Sequence, residues 1–122
     1  MLSGKATSNQ SKKKIVIGII GLGVGSFHLR NSLKYKNCRI KYICDLDLKK
    51  LSFYKKKYNI KNATTNFDHV VNDKEINTMI IASNDKDHYY QILKSLKNDK
   101  HVFVEKPMCL SLKELNTIEK LK

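Results

Sequence analysis

The feature that most constrains this chain is an apolar run that ends in three alternating glycines. Residues 15–20 have the sequence IVIGII, and Gly21, Gly23 and Gly25 follow directly. β-Branched residues favour a buried strand, and glycines at this spacing favour a tight turn. We therefore predict a strand that turns sharply into a helix. A secretory leader is the alternative, because 12–14 are all lysine, but no small-residue cleavage pattern follows the apolar run.

Apolar runs recur along the chain and alternate with segments of helical spacing. The predicted strands are 15–20, 40–44, 79–82 and 102–104, with a weaker one at 63–65. Near-continuous apolar strands are typical of a parallel sheet that is covered on both faces. The helical segments between them imply right-handed crossovers. We predict an α/β protein with a doubly wound, open parallel sheet of the Rossmann type, in three α/β/α layers.

Three predicted helices have recognisable starts or apolar stripes. Asp47 is a candidate N-cap, and Ser111 with Glu114 has the form of a capping box. The apolar positions that mark these helices are Leu51, Tyr54 and Tyr58, then Tyr89, Ile92, Leu93 and Leu96, and finally Leu112, Leu115, Ile118 and Leu121. We expect one domain over 13–122, preceded by a disordered tail over 1–12.

The charge of the chain is strongly basic, with a formal net value of +13. Only Arg30 and Arg39 are arginines among the 24 basic residues, and the lysines are spread over every segment. Arginine is the side chain that specific base readout uses most. The scarcity of arginine and the even spread of lysines therefore indicate that the chain has no nucleic-acid partner. No apolar run approaches the ~20 residues of a membrane-spanning helix, so we expect no membrane partner.

The cysteines indicate the compartment. Cys38, Cys44 and Cys109 are odd in number and lack the paired spacing of a zinc site or a redox motif. We interpret them as free or buried thiols, which favours a reducing, cytoplasmic location.

The glycine turn is also a candidate phosphate site. Gly21 would permit the turn, and Gly23 would let the backbone approach a pyrophosphate at the free N–H groups of the next helix. We predict that Gly21, Gly23, Val24 and Gly25 bind the pyrophosphate of a dinucleotide. A tight turn without a ligand is the alternative.

Asp45 ends the second predicted strand, where a carboxylate can bind the hydroxyls of an adenine ribose. A carboxylate there would repel a 2′-phosphate, so we predict NAD(H) over NADP(H). Lys49 and Lys50 lie close to Asp45 in the sequence, and their positive charges act in the opposite direction on a 2′-phosphate. The other interpretations of Asp45 are a solvated turn residue or a helix cap. S-Adenosylmethionine-dependent methyltransferases share a glycine turn and an acidic strand end. They usually carry an acidic residue where this chain has Ile19.

The second half of the chain carries a more specific pattern. Ser83 and Asn84 lead to His88 after the fourth strand, and the fifth strand ends in Glu105-Lys106-Pro107, a motif that His101-Val102 precedes. With the glycine turn and Asp45, these motifs make 13–122 resemble the N-terminal domain of the Gfo/Idh/MocA oxidoreductase family. The chain departs from the family pattern where Ser83-Asn84 replaces the usual Thr-Pro and where Ser26 replaces a third glycine. The turn is also one residue short before His28.

The resemblance implies roles for these residues. Lys106 would be the catalytic residue, holding a cofactor ribose and assisting proton transfer, while Glu105 supports the site and Pro107 shapes the turn. Ser83, Asn84, His88, Glu105 and Lys106 would bind the cofactor. His28, inside the first helix, is expected to pack against or cap the sheet.

The resemblance also implies an activity. The chain would be the NAD-binding domain of an oxidoreductase that transfers hydride to or from a sugar-like or cyclitol hydroxyl, with a possible homo-oligomeric assembly. A second domain would supply the substrate contacts, and without it we expect no turnover. A stand-alone nucleotide-binding or redox-sensing module is the other hypothesis.

Overall fold

A parallel five-stranded sheet forms the centre of the protein, with strand order β3-β2-β1-β4-β5. The computed structural model describes residues 14–105 and 112–121. The strands are β1 (Ile15–Ile20), β2 (Cys38–Cys44), β3 (Asn62–Thr64), β4 (Thr78–Ile81) and β5 (His101–Val104). The chain builds outward from β1 to β3, then returns to the other side of β1 to add β4 and β5. This reversal places a topological switch point between β1 and β4, where open α/β sheets bind ligands.

Five α-helices connect and cover these strands in the described residues. They are α1 (Gly25–Ser32), α2 (Leu48–Lys57), α3 (Phe67–Val71), α4 (His88–Lys97) and α5 (Leu112–Leu121). One apolar core joins the sheet to α1 and α2 through Leu29 and Leu51. A second core, on the opposite face, contains Val70, Ile92 and Ile118 of the other three helices. The predicted three-layer, doubly wound α/β fold is confirmed.

Strand β1 shows why the sequence had to be apolar almost throughout. Val16 and Ile20 belong to the core under α3, α4 and α5, whereas Ile17 and Ile19 belong to the core under α1 and α2. Successive side chains of a strand point to opposite faces, so a strand covered on both sides needs an apolar residue at nearly every position. Each such side chain contributes about 1.5–3 kcal/mol when fully buried.

The amino end of the sheet is closed by side chains. The amide of Asn77 accepts a hydrogen bond from Val16 N (3.1 Å) and donates one to Lys14 O (3.0 Å). Lys100 is buried, and its ammonium donates to the carbonyl oxygens of Asp73 (2.8 Å) and Ile76 (2.6 Å). Polar groups at this end are therefore paired within the protein.

The predicted elements differ from the observed ones mainly at their ends. The strand predicted at 40–44 begins two residues earlier, and the one predicted at 63–65 lies one residue earlier. Asp47 caps α2 as expected, because its side chain accepts from Lys49 N and Lys50 N. The five-residue α3 was not predicted, since it is too short to show a helical period; Asn66 caps it by accepting from Asp68 N. The tail over 1–12 and the proposed cap at Ser111 lie outside the described residues.

Candidate functional site

A groove of about 600 Å³ lies at the carboxyl ends of the strands, over the switch point between β1 and β4. Most of the residues predicted to bind a cofactor line it. From the glycine turn, β2 and the β4 loop these are Gly21, Gly23, Val24, Asp45, Ser83 and Asn84. The groove also takes in residues that sequence reasoning missed, namely Leu46, Lys50, Thr65, Phe67, Tyr90 and Gln91. The fold thus gathers candidates that are far apart in sequence.

Gly21 makes the turn at the end of β1. It has a φ of +91°, and a Cβ at this position would lie 2.4 Å from the carbonyl oxygen of Ala82. Its N–H donates to Cys44 O at 2.7 Å, so the turn is held between the ends of β2 and β4. Only glycine combines a positive φ with such a close backbone neighbour. The fold therefore requires glycine at position 21 even without a ligand.

Gly23 differs from Gly21, because the protein leaves open space where its side chain would be. It lines the groove, and no heavy atom lies within 4 Å of the position that a Cβ would occupy. Its carbonyl accepts from the Ser26 hydroxyl at 2.8 Å. Nothing in the described fold explains a glycine here, whereas close approach of a ligand to the backbone does.

Helix α1 begins directly after this glycine. Its N-cap is Val24, whose side chain makes no capping hydrogen bond, and its first turn contains no acidic residue. The first N–H groups of a helix lie at the positive end of its dipole, and in α1 those of Ser26 and Phe27 donate to Gly23 O (3.3 Å) and Val24 O (3.0 Å) in a tight first turn. The start of α1 can therefore receive a phosphate, and Gly25, which is buried, brings the helix close to the sheet.

Asp45 joins the glycine turn to the end of β2. One carboxylate oxygen accepts from Leu22 N at 2.7 Å and the other accepts from Asp47 N at 2.8 Å. Each oxygen keeps a second lone pair for a ribose hydroxyl. The alternative of a cap for α2 is ruled out, because Asp47 is that cap. The carboxylate thus has a fixed position at the rim of the groove.

Cys44 lies beside Asp45 and lines the floor of the groove. Burial is the main cause that raises the pKa of the Cys44 thiol to about 12, and the negative charge of Asp45 adds to the shift. A thiol with so high a pKa stays protonated at neutral pH and is a poor nucleophile. Cys44 therefore serves as a small apolar contact, not as a reactive group.

Two side chains of α4 contact the loop that follows β4. His88 is 1% exposed, and its Nε2 lies 2.8 Å from the carbonyl oxygen of Ser83. The Ser83 hydroxyl donates to Oε1 of Gln91. His88 does not line the groove, although a cofactor contact was expected of it. Its position supports a different task, which is to fix the loop that carries Ser83 and Asn84.

Glu105 lies just after β5, and it contacts a residue that sequence reasoning had placed apart from the site. Its carboxylate pairs with Nε2 of His28 on α1. His28 packs on the sheet as expected, with its ring edge against Phe103 at a centroid distance of 5.0 Å. The ion pair was not expected, and no local pattern could have shown it. Lys106 and Pro107 lie outside the described residues.

The arrangement fits a dinucleotide from end to end. Asp45 and the exposed Leu46 lie at one side of the switch point, the open turn and the start of α1 lie at its centre, and Ser83 and Asn84 lie at the other side.

Among residues 14–105 and 112–121, no three His, Cys, Asp or Glu side chains come together as a metal site. No helix in that part of the chain is long and apolar enough to cross a membrane.

Comparison with known proteins identifies relatives of this chain by sequence. Residues 15–121 match the model of the Gfo/Idh/MocA oxidoreductase family, described as an NAD-binding Rossmann fold. An uncharacterized oxidoreductase of Bacillus subtilis, YrbE, is 31% identical over 84% of this chain and 30% of its own length. The myo-inositol 2-dehydrogenase of Thermotoga maritima is 29% identical over 82% of this chain and 30% of its own.

A solved structure shows the same fold. The scyllo-inositol dehydrogenase of Lactobacillus casei, crystallised with NAD(H) and scyllo-inositol, superposes with a TM-score of 0.83 at 30% identity. The match covers 89% of this chain and 33% of that protein. The chain therefore spans about a third of the length of the relatives it matches. Because the family model covers nearly all of the chain, with the glycine turn, Asp45 and Glu105 inside the match, the protein belongs to the Gfo/Idh/MocA family of NAD-binding, Rossmann-fold oxidoreductases.

Proposed function

We propose that this chain binds NAD(H) in the groove and is the cofactor domain of a dehydrogenase that acts on a hydroxyl of a sugar-like or cyclitol substrate. The inositol dehydrogenases among its relatives support the substrate class. Substrate contacts come, on this proposal, from a further domain, and turnover requires that domain. A cytoplasmic location and a homo-oligomeric assembly stay predictions.

The open position at Gly23 carries the proposal. Gly21 is explained by its positive φ and its contact with Ala82, but Gly23 has neither reason to be glycine. It stands at the start of a helix without a side-chain cap, where backbone N–H groups attract a phosphate. A pyrophosphate lying against Gly23 explains the missing side chain and the uncapped helix together.

The residues of the chain would divide the work along the dinucleotide. The start of α1 binds the pyrophosphate, and Asp45 accepts hydrogen bonds from the adenine ribose and repels a 2′-phosphate, which selects NAD(H). When bound, the nicotinamide supplies the site that accepts or gives up the hydride. Ser83, Asn84 and Glu105 are assigned to the nicotinamide half. Lys106, the proposed catalytic residue, orients the substrate hydroxyl and assists the transfer of its proton.

A titration with NADH tests the proposal. Gly23→Asp places a side chain and a negative charge where the pyrophosphate would lie, so we expect NADH affinity to fall by about tenfold or more. The melting temperature should stay unchanged, because no protein atom contacts that position. Ser52→Asp adds the same charge at an exposed position of α2 and is the matched control. If Gly23→Asp and Ser52→Asp bind NADH as well as the wild type does, the proposed site is refuted.

The remaining alternatives have separate tests. A stand-alone nucleotide-binding module would bind NADH in the same way, but adding a relative's substrate domain would give no dehydrogenase activity. The methyltransferase hypothesis has lost its support, because the family match is to oxidoreductases. S-Adenosylmethionine therefore serves as the negative control in the titration.

A further inference from the structure

A side-chain hydrogen bond connects the helix that starts at the cofactor turn to the far end of the sheet. Nε2 of His28, on the first turn of α1, pairs with Oε1 of Glu105, which lies 77 positions later at the end of β5. Strand β4 separates β5 from β1, so the contact spans the switch point. It therefore links the two sides of the proposed cofactor site.

The imidazole of His28 has little freedom to move. Its ring lies edge-on to Phe103 of β5 at 5.0 Å and to Phe27 at 5.6 Å between centroids. The side chain of His28 is 16% exposed and that of Glu105 is 34% exposed. Packing alone would be served as well by an apolar side chain, because partial burial of polar groups costs desolvation energy that their hydrogen bond only offsets. The hydrogen-bonded pair therefore points to a task other than stability.

Glu105 is fixed from two directions. Its backbone N–H donates to Ile81 O at 2.9 Å, which continues the pairing of β5 with β4, and its carboxylate reaches α1 through His28. Lys106 is the next residue in the sequence. Glu105 is thus the last described residue before Lys106, and both its backbone and its carboxylate are held.

We propose that His28 and Glu105 form a positioning pair, which sets the nicotinamide side of the cofactor site relative to the pyrophosphate turn. The proposal rests on the proposed function. A dinucleotide held at Asp45 and at the start of α1 extends its second half past the switch point toward the ends of β4 and β5. The pair fixes the distance between the helix that would hold the pyrophosphate and Glu105 at the end of β5. Neither residue needs to touch the pyrophosphate to do this.

Binding of NADH and of ADP-ribose, which lacks the nicotinamide, separates positioning from general stability. His28→Phe keeps an aromatic ring between Phe27 and Phe103 but removes the hydrogen bond, and Glu105→Leu removes the carboxylate. We expect each variant to weaken NADH binding by about tenfold while ADP-ribose binding changes much less. The enhanced fluorescence of bound NADH should fall as well, because the ring is held less firmly. Glu105→Gln, which keeps an oxygen acceptor for His28, should restore most of the affinity.

A double variant and a distant control complete the test. His28→Phe with Glu105→Leu should bind NADH no worse than either single variant, since one contact is removed in all three. Glu75→Leu removes an ion-paired carboxylate at the amino end of the sheet and should leave both affinities unchanged.

The outcomes are distinct. Equal weakening of NADH and ADP-ribose, or no weakening of either, overturns the positioning role while leaving the proposed function intact. If His28→Phe does not fold, Glu105→Leu and Glu105→Gln decide by the same ratio. A wild type that binds neither ligand refutes the proposed function, and the positioning role with it.

Discussion

The two ends of the parallel sheet use their polar groups in opposite ways. At the amino end, Lys100 and Asn77 donate to or accept from backbone groups of neighbouring segments, and Lys41 pairs with Asp73 (2.6 Å) and Glu75 (2.5 Å). At the carboxyl end, α1 starts without a side-chain cap and Gly23 faces open space. The polar side chains named at the amino end form their hydrogen bonds within the protein, whereas the carboxyl end presents an uncapped helix start and an open glycine position to a ligand. Substitutions at the amino end should alter stability alone, and most substitutions at the carboxyl end should alter cofactor binding.

The largest expected effect is at Gly21, which belongs to the carboxyl end but serves the fold. Gly21→Ala forces a Cβ to within 2.4 Å of Ala82 O at a φ of +91°. We expect the free energy of unfolding to fall by about 3 kcal/mol, measured by urea denaturation. Gly23→Ala, with nothing within 4 Å, is the control and should change stability by less than about 0.5 kcal/mol. Equal losses in the two variants would contradict the distinction between the glycines.

Lys100 is expected to show the next largest effect, at the amino end. Burial lowers the pKa of its ammonium, more than the nearby charges of Asp73 and Asp99 raise it, yet the ammonium donates to the carbonyl oxygens of Asp73 and Ile76. Lys100→Met keeps the apolar stem but removes the donor to Ile76 O, whereas Asp73 O keeps its hydrogen bond from Ile76 N (3.2 Å); we expect a cost of about 2 kcal/mol of stability.

The NADH affinity of Lys100→Met should match that of the wild type at a temperature where both are folded. Lys74→Met removes an exposed lysine from the loop between α3 and β4, which carries the two carbonyl oxygens that Lys100 contacts, and is the control, with an expected change within about 0.5 kcal/mol. A Lys100 variant that binds NADH poorly while fully folded would show that the two ends are not independent.

Asp45 offers a sharper test of the carboxyl end. Asp45→Asn removes the charge that repels a 2′-phosphate but can still accept a hydrogen bond from Leu22 N through its amide oxygen. The preference for NADH over NADPH should narrow by about tenfold, measured as the ratio of the two Kd values. Asp45→Ala is the less informative change, because it also releases the glycine turn. An unchanged ratio in Asp45→Asn would remove Asp45 from cofactor selection.

The smallest expected effect is the acid sensitivity of the ion pairs at the amino end. The hydrogen bond from Lys41 lowers the pKa of Glu75. Partial burial of Asp73 works in the opposite direction, but hydrogen bonds from Lys41 and from the Glu75 backbone outweigh it and lower the pKa of Asp73 as well. Carboxyl groups with a lowered folded-state pKa contribute stability that is present above about pH 4 and is lost as the pH falls through the folded-state values.

Lys41→Met should therefore flatten the acid limb of a plot of melting temperature against pH, since it removes the largest cause of the lowered Glu75 pKa and one of the causes of the lowered Asp73 pKa. Lys113→Met, at an exposed position of α5, should leave that limb unchanged. The same acid limb in Lys41→Met and in the wild type would show that these ion pairs contribute nothing measurable.

Part of the site could be predicted, and the part that could not depends on contacts across the sheet. The glycine turn and Asp45 were found because each follows an apolar strand, and the carboxyl ends of parallel strands meet at one edge. The hydrogen bond from Leu22 N to Asp45 was not found, since it depends on the pairing of β1 with β2. The contact of His88 with the loop after β4 was not found either, because it depends on how the start of α4 places the His88 ring beside Ser83 O.

Local residue choice already specifies much of this protein. β-Branched runs define the strands, a positive φ requires glycine at position 21, and Asp47 begins α2 by accepting from N–H groups two and three residues ahead. These outcomes depend on sterics and hydrogen bonds within a few residues. The neighbours of each strand, the open space at Gly23 and the pairing of His28 with Glu105 depend instead on burying both faces of one sheet. Packing decides them, because it joins residues whose separation along the chain leaves no trace in any local pattern.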